Sequence, residues 1–71
     1  MSLLEYVKNV VRENIGVYRE SDIHMLAGQV RHHVTRKTGE EPSLYHTISS
    51  VTRAIEEGHL TIRDGFLYPL D

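Results

Sequence analysis

The sequence predicts an α+β fold, mainly α, in which three helices and one short strand precede a C-terminal β-hairpin. Three observations carry that expectation. Apolar residues recur at helical spacing in three separate segments, each bounded by capping residues or glycine. The segment 17–19, "VYR", is β-rich and too short for a helix. The last stretch, "HLTIRDGFLYPL", holds two alternating runs joined by Asp64-Gly65, the dipeptide favoured in type I′ hairpin turns.

Helix 1 is expected over 3–14, because Ser2 and Glu5 form a capping-box pattern and Leu3, Val7, Val10, Val11 and Ile15 share one stripe up to Gly16. A brief strand follows at 17–19. Ser21 with Asp22 then reads as the cap of helix 2, expected over 22–37, with Ile23, Leu26, Ala27, Val30 and Val34 on one face. Gly28 interrupts it at a position suited to close packing or a bend. "TGEEPS" is the clear break, with Gly39 suited to a helix end and Pro42 to the first turn of helix 3, expected over 43–57 and ended by Gly58. On helix 3, Leu44, Ile48, Val51 and Ile55 fall in one arc, while His46, Ser49, Ser50 and Arg53 fall opposite. Ile23, Leu26, Val30, Leu44, Ile48, Val51, Ile55 and one hairpin face are therefore the expected core.

In a two-residue hairpin, Arg63 sits opposite Phe66, Ile62 opposite Leu67 and Thr61 opposite Tyr68. Leu60, Ile62 and Leu67 then share the face that covers the helices. Phe66, Tyr68 and Leu70 point the other way, and three large apolar side chains on one face need a cover, either helix 1 or the partner in a homodimer. A homodimer is favoured, since so short a chain gains from additional buried area.

With 71 residues there is room for one domain, spanning 1–71, and one small core. No cysteine is present, so neither disulfides nor thiolate metal sites are available, and the composition fits a reducing cytoplasm. The N-terminal stretch, broken by Glu5 and Lys8, reads as neither a signal peptide nor a membrane span, so no membrane partner is expected. A formal charge of -2 gives no overall attraction to phosphate. Its distribution is uneven: residues 23–39 carry Arg31, Arg36, Lys37 and three of the five histidines, and no acid.

No catalytic constellation is legible. Gly-rich phosphate loops and nucleophile elbows are absent, and Ser49-Ser50 beside His46 is better explained by capping, solvation or groove contact than by a nucleophile and base. The adjacent His32 and His33 diverge by about 100° on a helix and cannot hold one ion, so neither metal nor cofactor is expected. His33 reads as a core-edge residue, and His32, near Met25, Gln29 and Arg36, as one that faces a partner.

Helix, short strand, helix, helix and hairpin is the element order of winged helix-turn-helix domains, and "TISSVTRAIEEGHLTIRDGFLYPL" resembles their recognition helix and wing. The resemblance covers nearly the whole chain. It implies that helix 3 enters the major groove of double-stranded DNA, with Tyr45, His46, Ser49, Ser50 and Arg53 facing the groove and Arg63 at the wing tip. Arg36 and Lys37, in the acid-free stretch, are suited to phosphate contact. The polar face of helix 3 fits plain solvation, nucleic-acid contact or protein contact. Solvation is the simplest of the three, and the Ser, Thr, His and Arg of this helix, in place of the Glu and Lys of a solvated face, raise the weight of nucleic-acid contact. The expectation is a small DNA-binding regulator, with a protein-interaction module or inhibitor as the alternative that the acidic balance suits.

Overall fold

The computed structural model describes residues 2–70, and its element order is helix α1 (Leu3–Glu13), a 3₁₀ turn (Glu20–Asp22), helix α2 (Ile23–Thr38), helix α3 (Leu44–Glu56) and strands β1 (Leu60–Arg63) and β2 (Phe66–Pro69). The layout is winged-helix-like: three helices pack on one another, and the antiparallel hairpin closes one side of the core against α1 and α3.

Local chemistry sets the ends of the helices. Ser2 caps α1 through its hydroxyl, which accepts from the Glu5 amide at 3.3 Å. Ser43 does the same for α3, accepting from the His46 amide at 3.0 Å, so Pro42 lies outside the helix rather than in its first turn. Ser21 and Asp22 fall in the 3₁₀ turn, where the Asp22 carboxylate accepts from the Arg19 amide at 2.9 Å. Thus α2 starts one residue later than expected. Gly39 ends α2 with φ 78°, a conformation glycine adopts without a Cβ penalty, and its amide donates to Thr35. Gly28 is exposed, with nothing near the place of a Cβ, so it marks neither close packing nor a contact.

The hairpin register is the expected one: Thr61 pairs with Tyr68, Ile62 with Leu67 and Arg63 with Phe66. Asp64 and Gly65 both take positive φ, 51° and 85°, as a type I′ turn requires. The short strand is reduced to a single antiparallel bridge between Arg19 and Phe66, with the Leu67 amide donating to the Tyr18 carbonyl at 2.8 Å. That bond ties the α1–α2 connection to the hairpin. Tyr18 itself is buried, and burial raises its phenol above the ordinary pKa.

The core holds Val7, Val10 and Val11 of α1, Leu26, Ala27, Val30 and Val34 of α2, Val51 and Ala54 of α3, and Leu60 and Leu67 of the hairpin, together with Tyr18. Several residues expected inside differ. Ile23, Ile48 and Ile55 are only half-buried at its edge, Leu44 is 42% exposed, and Ile62 and Ile15 are exposed. The cause lies in α3, whose buried arc is centred on Thr47, Val51 and Ala54, rotated by about 60° from the Leu44–Ile48–Val51–Ile55 arc. Small side chains at 47 and 54 let α3 approach its neighbours. Thr47 is fully buried at little cost, because its hydroxyl donates to the Ser43 carbonyl at 2.8 Å.

Candidate nucleic-acid interface on helix α3

Rotation of α3 decides which of its polar residues look outward. Tyr45, 82% exposed, starts the outward stripe, which continues through Ser49, Thr52 and Arg53 to Glu56. Thr52 and Glu56 are additions to the residues read from the sequence, and their spacing from Ser49 was the available signal. His46 and Ser50 lie on the flank turned toward the start of α1. His46 lines an open hollow of about 310 Å³ with Leu3, Tyr6 and Thr38, while Ser50 and Arg53 line a smaller one of about 120 Å³ with Leu4, Ala54 and Glu57.

The α2–α3 turn is held by a residue that sequence reasoning counted only as a charge. Arg31 donates through Nε to the Pro42 carbonyl at 2.9 Å and pairs through Nη2 with Glu41 at 2.9 Å. One half-buried guanidinium therefore sets where α3 begins. At the other end of α3, Arg53 pairs with Glu57 at 3.1 Å, and His59 lies 3.8 Å from the second oxygen of the same carboxylate. The carboxylate so links the last turn of α3 to the residue before β1.

Arg36 and Lys37 are exposed in the last turn of α2, where they complement the negative end of the helix dipole. They share a hollow with Glu13 and His33, on the flank of α2 that meets α1, whereas Arg31 marks the flank that meets the turn into α3. The two groups are thus on different sides of α2. His33 packs edge-on against Tyr6, with ring centres 5.7 Å apart, as a residue at the core edge, and His32 is exposed beside Gln29 and Arg36.

On the hairpin, Arg63 is exposed beside the turn, with its guanidinium carbon 5.8 Å from the centre of the Tyr68 ring. Arg19 lies closer over Phe66, at 4.7 Å, within cation–π range. The apolar face for which a cover was expected, from helix 1 or from the partner in a homodimer, is partly covered within one chain. Phe66 and Tyr68 are half-buried, and Leu70, 41% exposed, is the most open of the three. Among the described residues, no three His, Asp or Glu side chains converge as a metal-binding group, and no helix is long and apolar enough to cross a membrane.

Comparison with protein-family models, curated proteins and solved structures finds no match for this chain.

Proposed function

We propose that this chain binds double-stranded DNA through the outward face of α3, with the hairpin as a wing, and acts as a small regulator. The observation that carries the reading is the placement of carboxylates around α3. Between Pro42 and Ile55 the chain has none, and the outward positions Tyr45, Ser49 and Thr52 are hydroxyl-bearing side chains that make no side-chain hydrogen bond among the described residues. Acids stand only at the two ends, Glu40 and Glu41 before α3 and Glu56 and Glu57 at its close. A helix bearing short donors and no central negative charge is able to approach base edges closely.

Arg36 and Lys37, exposed beside Glu13 and His33, supply positive charge outside α3 for phosphate contact. A second reading, contact with a protein partner, is favoured by the state of the other cations. Arg31 and Arg53 are already paired with Glu41 and Glu57, and Arg63 rests on Tyr68.

Titration with a random-sequence duplex separates the two. DNA binding predicts a dissociation constant on the order of 10⁻⁴ to 10⁻⁶ M at physiological salt, tighter near 50 mM and weakening log-linearly as salt rises. Lys37→Ala should weaken every duplex alike and flatten the salt slope by about one unit. No binding near 50 mM salt would transfer the function to a protein partner.

A further inference from the structure

On the α1-facing flank of α3, Ser50, Arg53 and Glu57 stand at successive turns around the hollow that Leu4 closes from the side of α1. Within it, the Arg53 guanidinium points one N–H group at a Glu57 oxygen 3.1 Å away. The pair is well exposed, so solvent and a ligand both reach it. Ser50, half-buried beside it, makes no side-chain hydrogen bond within the described residues, and water reaches its hydroxyl, as none of their polar side-chain atoms is both sealed and unpaired. A cation held by a carboxylate, next to an unused hydroxyl donor, is the donor set that an anionic oxygen group takes.

We propose that this notch is a phosphate subsite for a DNA strand, and that Glu57 holds its anion position in the free protein. The inference deepens the DNA-binding reading and rests on it. On binding, a phosphodiester oxygen replaces the Glu57 carboxylate on Arg53 and accepts a second hydrogen bond from the Ser50 hydroxyl. The displaced carboxylate keeps His59, 3.8 Å from its other oxygen, as a neighbour. Arg53 then fixes the protein on the backbone and leaves sequence reading to Tyr45, Ser49 and Thr52. Glu57 acts as an internal competitor that lowers affinity for every sequence alike.

Such a competitor has a distinctive signature. Exposed ion pairs of this kind are weak, worth about 0.2 to 1 kcal/mol, so freeing Arg53 should tighten DNA binding by about 1.4- to 5-fold. The experiment is a fluorescence titration of a 20-base-pair duplex, at about 50 and 150 mM salt, with wild type, Glu57→Gln, Arg53→Ala and the double variant. Thermal melts of each accompany it. Glu57→Gln should bind more tightly and with a steeper salt slope, and the gain should vanish when Arg53 is also Ala. Ser50→Ala should weaken binding with its melting point unmoved.

Wild-type binding that Glu57→Gln leaves unchanged would overturn the subsite while leaving the α3 reading intact. A gain that persists without Arg53 would overturn it too, since loss of negative charge alone would then explain the effect. If no variant binds the duplex, the subsite and the DNA-binding reading fall together.

Discussion

Replacing Leu67 with Ala is expected to cost about 2 to 5 kcal/mol, the range for removing a large aliphatic side chain from a packed core. Leu67 is fully buried on β2, pairs with Ile62, and donates its amide to Tyr18. A chain of 71 residues has a total stability of only about 4 to 10 kcal/mol at the usual value per residue. The variant should thus lose between about a fifth and all of its stability, and its urea midpoint should fall accordingly. An unchanged midpoint would mean that the hairpin is an appendage rather than part of the core.

The second large effect tests the rotation of α3, by placing the same carboxylate at two positions three residues apart. Thr47→Asp puts a charge at a fully buried site and removes the hydroxyl that Ser43 satisfies, so it should cost about 3 to 5 kcal/mol and unfold much of the protein. Leu44→Asp places the charge on the exposed first residue of α3, where the helix dipole favours an acid, and should change stability by less than about 1 kcal/mol. Reading the apolar arc alone gives the reverse order, with Leu44 buried. Circular-dichroism melts of the two variants decide between the orientations.

That contrast marks where the sequence was legible and where it was not. The hairpin register followed from Asp64-Gly65 and strict alternation, because a two-residue loop leaves no freedom in pairing. The inner face of α2 followed as directly, since Leu26, Ala27, Val30 and Val34 are uniformly apolar at helical spacing. On α3 the apolar arc misled by about 60° of rotation. Thr47 counts as polar in a hydropathy pattern, yet its hydroxyl is satisfied by its own helix, and small Ala54 permits close approach. Both facts depend on local hydrogen bonding and on neighbours distant in the sequence.

Long-range contacts explain the other differences. Nothing local indicates that Arg31 reaches Pro42 and Glu41, or that Arg19 caps Phe66. The candidate site was legible in part. Tyr45, Ser49 and Arg53 emerge on the outward face as expected, while His46 and Ser50 turn toward α1, and Arg36 and Lys37 lie on the far flank of α2. The Arg53–Glu57 pair was readable from its four-residue spacing, though its bearing on the site appears only beside Ser50 and Leu4.

The central claim is that the outward face of α3 is the surface that meets DNA. Amide chemical-shift mapping of ¹⁵N-labelled protein, as a short duplex is added at low salt, tests it most directly. The account predicts shifts concentrated at Tyr45, Ser49, Thr52 and Arg53, with smaller ones at Lys37 and Arg63. Shifts confined to the hairpin residues Phe66, Tyr68 and Leu70, or no shifts at duplex concentrations that saturate ordinary nonspecific binders, would contradict it.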